Sequence, residues 1–186
     1  MLKVESMPEY FDVIDENDVV VDRQPGRECV NRGFLHRAIL VFLINTRGEV
    51  YLQKRARDVR FYPGRWSASV TGHVSSGETY HEAAKREVKE ELGIDCELRE
   101  LGKFLTPKWK IRDMTEWEFI TVFEGSRTDT RKITLSHETD EGRFVSPSDF
   151  RNWVFTEPET FTPDTLLALK YVPGEDPTEK PPHRDC

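Results

Sequence analysis

Cysteine is scarce in this chain, and what there is does not pair. Cys29, Cys96 and Cys186 are odd in number, widely spaced and form no CxxC, which excludes a disulfide framework and a zinc cage. Positive charge is also in the minority. Against 34 Asp and Glu stand 27 Lys and Arg, a formal net charge of -7, so no polybasic footprint for a nucleic acid polymer is expected. Long apolar runs are missing too: the longest, Ala38 to Ile44, is seven residues, far short of a bilayer span. The opening "MLKVESMPEY" lacks a signal-peptide core, so a cytoplasmic protein that does not associate with membrane is expected. No internal repeat is visible. What is present suffices for one domain, because 186 residues with 37% hydrophobic and 11% aromatic content can bury a core.

Along the chain, "YFDVID" and "DVVVDR" flank "EN" as a short hairpin, and "RAILVFLIN" and "EVYLQKRA" flank "TRG" as a longer one. "DVRFYPGRW" carries Pro63 and Gly64 and reads as a loop, while "SASVTGHV" reads as a strand. Further β-like segments fall at about Cys96 to Leu105, Glu116 to Glu124 and Gly142 to Val145, with short helices near Ser148 to Val154 and Asp164 to Tyr171. The order is mixed and not a repeating βαβ. From Pro173 the stretch "PGEDPTEKPPHRDC" is rich in proline and charge, which predicts a flexible tail over 173–186 behind a single domain over 1–172.

The informative segment is "GHVSSGETYHEAAKREVKEELGI". Thr79 with Glu82 three residues on marks a helix start and Gly93 marks its stop, so a helix over Tyr80 to Leu92 is predicted. At 100° per residue Ala84, Val88 and Leu92 form a core stripe, and Glu82, Lys85 and Lys89 a solvent stripe. Glu87, Glu90 and Glu91 occupy the third face, with Ala83 leaving room beside them. These acids stand at i,i+3 and i,i+4, and each like-charge pair costs roughly 0.2 to 0.5 kcal/mol with no basic residue on that stripe to relieve it. A solvated acidic face is one reading. The other is a divalent cation: clustered hard oxygen ligands on one rigid surface suit Mg²⁺ or Mn²⁺ with substrate phosphate oxygens completing the shell.

Gly72, Glu78, Arg86, Glu87, Val88, Glu90, Glu91, Gly93 and Ile94 match every fixed position of the Nudix hydrolase signature, so over these 23 residues the chain resembles that superfamily. The resemblance implies an α/β (α+β) fold, an α/β/α sandwich around a central mixed sheet with a loop-helix-loop metal site. It implies a small-molecule diphosphate substrate, Glu87, Glu90 and Glu91 as catalytic metal ligands, Arg86 orienting them, Glu78 tying loop to helix, and Gly72 letting the backbone approach the metal. Hydrolysis of a diphosphate then draws on bound cations to neutralise charge and on a carboxylate, in the motif or outside it, to accept a proton.

"LHRAILVFLINTRGEVYLQKRA", "YPGRWSASVTGHV" and "EWEFITVF" further resemble the branch that holds the type 1 isopentenyl-diphosphate isomerases, over about residues 10 to 172. That resemblance implies additional metal ligands at His36, His73, Glu116 and Glu118, with Cys29 near the place of one further histidine. It also implies Glu118 as ligand or base and Arg55 as a phosphate-binding residue, with Val59 where a lysine belongs and Arg60 or Arg65 as replacements. The isomerases' catalytic cysteine in "CGH" is here Thr71 in "TGH", and a hydroxyl is a poor substitute for a thiol in proton transfer to carbon. Glu116 and Glu118 alternate along one expected strand and share a side. Trp66 and Trp117 admit both core packing and stacking on a substrate. A metal-dependent diphosphate hydrolase is the reading that follows; an isopentenyl-diphosphate isomerase and a non-catalytic ligand-sensing domain are its rivals.

Overall fold

A computed structural model describes residues 9–126 and 133–174. Eleven strands are described there: β1 Tyr10–Ile14, β2 Val20–Pro25, β3 His36–Ile44, β4 Val50–Arg55, β5 Trp66–Ser67, β6 Val70–His73, β7 Glu97–Leu105, β8 Trp109–Ile111, β9 Met114–Glu116, β10 Glu118–Ser126 and β11 Thr139–Val145. Four α-helices accompany them: α1 Gly26–Arg32, α2 Tyr80–Leu92, α3 Pro147–Thr156 and α4 Pro163–Ala168. Nine strands form one mixed sheet, and β8 and β9 form a separate hairpin.

The sheet is organised around β3, whose uninterrupted apolar run is buried on both faces as a central strand requires. Successive side chains point to opposite faces. Ile39, Val41 and Leu43 pack with Ala83, Ala84, Val88 and Leu92 of α2, while Ala38, Leu40 and Phe42 pack with Phe150 and Val154 of α3 and Ala168 of α4. One strand thus supplies both interfaces of the α/β/α sandwich. Ala83, expected on the acid side of the helix, is fully buried in this core, so the space beside the acids is not its contribution.

β10 runs parallel to β3 along its length, from Glu118↔His36 to Ser126↔Ile44, and β7 covers the other edge of β10. The hairpin expected between β3 and β4 forms only one rung, Ile44↔Val50. Beyond it the strands part: β6 takes the place beside β3 at Ala38 to Val41, and β5 pairs β4. The segment read as one strand over "SASVTGHV" is therefore split in two. The N-terminal hairpin of β1 and β2 forms as expected, closed by Asp15, whose Oδ1 accepts from the N–H groups of Asn17 and Val19 at 2.9 and 3.0 Å.

α2 has the expected bounds, with a complete Thr79–Glu82 capping box and Gly93 left-handed at φ 70°. At the other end of the domain, Arg151 Nη2 donates to Val172 O and Gly174 O at 2.8 and 3.3 Å, so the chain is held to Gly174. The rest of the predicted tail lies outside the described residues.

Candidate metal and diphosphate site

Where β4 leaves β3, a cavity of about 450 Å³ opens between the sheet, α2 and the start of α4. Its wall carries the carboxylates of Glu9, Glu87, Glu90, Glu91, Glu116, Glu118, Glu138 and Asp164, against one guanidinium, Arg55, and two imidazoles, His73 and His137.

On the α2 side, Gly72 and Glu87 meet at close range. A Cβ built on Gly72 would lie 2.4 Å from Glu87 Cδ, so only glycine lets the carboxylate lie against the strand. Arg86 fixes that carboxylate: Nη1 donates to Glu87 Oε1 at 2.7 Å and to Glu90 Oε2 at 3.3 Å. Glu87 and Glu90 are therefore relieved by their own neighbour in sequence, contrary to the expectation from helical stripes, because the long arginine side chain folds across. Its other nitrogens grip Glu78 in a fork, Nε to Oε1 and Nη2 to Oε2, both at 2.9 Å, and Nη2 also donates to His73 O at 3.1 Å. Glu78 in turn accepts from Ser75 N–H at 3.1 Å, tying the loop to the helix. Glu91 Oε2 accepts from Gln53 Nε2 at 2.9 Å. Burial, then the nearby Glu87 charge, pushes the Glu91 carboxyl up to about 8, and burial raises Glu87 as well.

On the sheet side, His36 is fully buried. Its Nδ1 lies 2.8 Å from Phe34 O, an acceptor only, so Nδ1 carries the proton and Nε2 presents a lone pair. That Nε2 has no hydrogen-bond partner. Burial pushes the His36 imidazole down to about 4, which keeps it neutral. Glu118 Oε1 stands 3.7 Å from His36 Nε2 and 3.2 Å from His73 Nε2. One ligand atom from each of these three residues lies within 4.8 Å of the others, the one group of this kind found among the described residues. Phe11 of β1 stacks on both rings, 5.4 Å from His36 and 4.7 Å from His73 between centroids.

Glu116 and Glu118 do not share a strand: Glu116 ends β9, Glu118 begins β10, and Trp117 lies between them. Both still face the cavity, where Tyr62 Oη donates to Glu116 Oε2 at 3.2 Å, and burial and Glu118 push Glu116 up to about 7. Arg55 lines the cavity with its Nε donating to Phe61 O at 2.9 Å. Arg60 does not join it; exposed, it reaches Asn31 Oδ1 at 3.4 Å, so the expectation of a phosphate contact there is not met by its position. Arg65 turns to Phe161 O at 3.2 Å. Trp66 is buried against Trp153 and Phe161 and has no face for a substrate, and Trp117 carries Lys108 Nζ 3.7 Å from its ring centroid. Thr71 lines the cavity, whereas Cys29 is buried with Phe11 and Val13 and its thiol is pushed up to about 11 by burial.

Sequence reading missed Gln53, Tyr62, Glu138 and Asp164. Gln53 had a signal, a lone amide in an apolar strand. Asp164, one residue into a helix after Thr-Pro, has the look of an ordinary first-turn acid, which hides it.

Comparison with known proteins places residues 34–165 in the NUDIX domain family. An isopentenyl-diphosphate Delta-isomerase 1 of Photorhabdus laumondii is 35% identical over 160 residues, 80% of this chain and 89% of its own length. An uncharacterised Nudix hydrolase of Pseudomonas aeruginosa is 33% identical over 158 residues, 84% of this chain and 89% of its own length. A solved protein of Deinococcus radiodurans shares the fold with TM-score 0.70 at 24% identity, covering 88% of this chain and 99% of that one. Among the described residues no helix is long and apolar enough to cross a membrane.

Proposed function

Since the chain belongs to the NUDIX family, we propose that it is a divalent-cation-dependent hydrolase that cuts a phosphoanhydride bond in a small diphosphate-containing metabolite. The observation that carries this reading is the charge of the cavity: eight carboxylates face one arginine, so a polyanion enters only together with cations.

Two donor sets suit such ions. Glu87, Glu90 and Glu91 offer hard oxygens beside the bare backbone of Gly72, and Gly72 is required there because Glu87 fills the space of its Cβ. His36, His73 and Glu118 offer two nitrogens and an oxygen, with the unpartnered His36 Nε2 as the sign of a missing ligand; Glu116 stands near. A divalent cation supplies neutralisation of the diphosphate oxygens and acidification of water. The chain does the rest. Arg86 and Glu78 hold the acids in place, Phe34 O fixes the His36 tautomer, and Arg55 offers its outer guanidinium nitrogens to a phosphate oxygen. Water adds to phosphorus, the bridging P–O bond breaks, and a cavity carboxylate takes the proton. The experiment is a panel of nucleotide sugars, dinucleotides, nucleoside triphosphates and isoprenoid diphosphates with Mg²⁺ or Mn²⁺. Release of phosphate or a monophosphate that stops on chelation is expected, and turnover that survives chelation sinks the reading.

The isomerase reading has one specific observation in its favour, the His36–His73–Glu118 triangle in a chain with isomerase relatives. It lacks the acid. No thiol lines the cavity among the described residues, and Thr71 has no acidity near neutral pH. Interconversion of isopentenyl and dimethylallyl diphosphates is therefore not expected, and deuterium entering isoprenoid carbon in heavy water would restore that reading.

A further inference from the structure

Glu9, Glu138 and Asp164 are the cavity carboxylates that the cation reading leaves unused. Asp164 enters from the first turn of α4, in the helical layer opposite α2. It lies near the Thr162 hydroxyl, which itself donates to Thr165 Oγ1 at 2.9 Å, and near the Thr165 backbone N–H, so acceptor positions of the carboxylate stay open. Neither partner is charged. Arg55, the single Lys or Arg on the wall, spends its Nε on Phe61 O, and no salt bridge to Asp164 is found among the described residues. Sequestering an acid without a counter-charge is costly, and burial with the nearby Glu118 raises its pKa. Tyr62 and Glu116 lie in its electrostatic reach, so this end of the cavity is rich in acceptors. The aliphatic and phenyl groups on the wall are few: Ala38, Ile39, Phe61 and Ile120.

We propose that Asp164 sets the substrate class of the site by accepting a hydrogen bond from a hydroxyl on the organic half of the diphosphate, so that hydroxylated diphosphates are taken and bare hydrocarbon diphosphates are refused. The inference rests on the diphosphate reading above. A hydrocarbon chain placed here would strip water from Asp164 and Glu116 and return no donor, whereas a hydroxyl replaces the lost water bond. A site built to bind a hydroxyl rejects the analogue without it far more strongly than an apolar pocket rejects an added methylene.

The test compares isopentenyl diphosphate with its own 3,4-diol, two probes on one carbon skeleton. Binding is measured by calorimetry on the full chain with Ca²⁺ replacing Mg²⁺, and Mn²⁺ stoichiometry is measured in parallel. Wild type is expected to hold the diol at least about tenfold more tightly. Asp164→Leu should abolish or reverse that preference. Asp164→Asn, which keeps an acceptor oxygen and the same shape, should fall between and guards against a folding defect in the leucine variant. Equal binding of the two probes by wild type overturns the inference and leaves the diphosphate reading intact. Loss of one bound Mn²⁺ in Asp164→Asn also overturns it, making Asp164 a metal ligand. Failure of both probes to bind in the presence of cation defeats the underlying reading itself.

Discussion

Replacing Gly72 by alanine separates the folding role of the loop-helix junction from its cation role. The added methyl would lie 2.4 Å from Glu87 Cδ and 2.5 Å from Oε1, too close for any real contact. The three nearest atoms all belong to the outer part of the Glu87 side chain, which can swing away. Swinging breaks the 2.7 Å bond from Arg86 Nη1, a charge-assisted bond with the arginine side chain 28% and the glutamate side chain 15% exposed. Such a bond contributes roughly 1.5 to 3 kcal/mol when well formed, and partial exposure brings the expected loss to about 1 to 2 kcal/mol. In a domain of this size that is a fall of only a few degrees, about 2 to 4 °C per kcal/mol.

The cation term should change far more. Disturbing even the partners of metal ligands costs about 10- to 100-fold in affinity, and here Glu87, a proposed ligand, is itself displaced. At a Mn²⁺ concentration about 100 times the wild-type Kd, binding stabilises the wild type by ~2.7 kcal/mol, and a site 100-fold weaker gains only ~0.4 kcal/mol. Thermal unfolding with chelator and with Mn²⁺ reads both terms: a small drop without metal, and most of the metal-induced rise missing. A Gly72→Ala protein with the wild-type Mn²⁺ response and turnover would refute the placement of the cation beside Glu87.

Glu90→Gln should lower turnover by orders of magnitude while shifting stability by less than ~0.5 kcal/mol, because Glu90 is 61% exposed and its Arg86 contact is long at 3.3 Å; activity near wild type counts against the metal role. Without metal, stability should fall as pH rises. Glu91 and Glu116 are raised from an ordinary 4.5 to about 8 and about 7, so the stability tied to their protons is complete below about 4.5 and is lost through pH 7 to 8. Mn²⁺ affinity should rise over the same window, and a chelated protein whose unfolding midpoint is flat or climbs from pH 5 to 8.5 contradicts this. Asp18→Ala strips partners from Arg37 Nε, Lys103 Nζ and Tyr80 Oη at once, bonds of 2.6, 2.8 and 3.0 Å, and should cost about 2 to 4 kcal/mol in urea unfolding. A cost under ~0.5 kcal/mol would show that Asp18 does not staple the hairpin turn to the domain.

What could be read from sequence follows from how local its determinants are. α2 emerged with its bounds because cap, stripe and left-handed stop all lie within the segment. β3 announced itself by an apolar run that no exposed strand would carry. By contrast α1, "GRECVNR", has only Cys29 and Val30 to bury besides its first glycine and shows no helical period. The β8–β9 hairpin turns through Arg112 at φ 57°, a left-handed position without the Asn-Gly pair that would signal it. The α2 acids and their support were legible because the motif is contiguous. Their partners across the cavity were reached only through resemblance, and Asp164 not even so, since a polar residue in the first turn of a helix has no period to betray it; Gln53 stood out only as a lone amide within an apolar strand.

The parting of β3 from β4 explains why the cavity exists at all, and it is the feature least visible in the chain. Two apolar strands joined by "TRG" would ordinarily zip along their length, leaving no room between them. Here the rungs that are given up find another partner in Ser69, whose hydroxyl accepts from Leu43 N–H at 2.7 Å and donates to Tyr51 O at 2.5 Å, serving both strands at once. The opened space then needs a lining that satisfies polar atoms. Gln53, 3% exposed, supplies it by donating to Ser69 O and Glu91 Oε2 and accepting from Thr139 Oγ1. One amide therefore joins β4, the inserted segment, β11 and the acid helix. The wedge that separates the strands and the carboxylate that faces the cavity are held by the same side chain, so the shape of the site and its charge are set together.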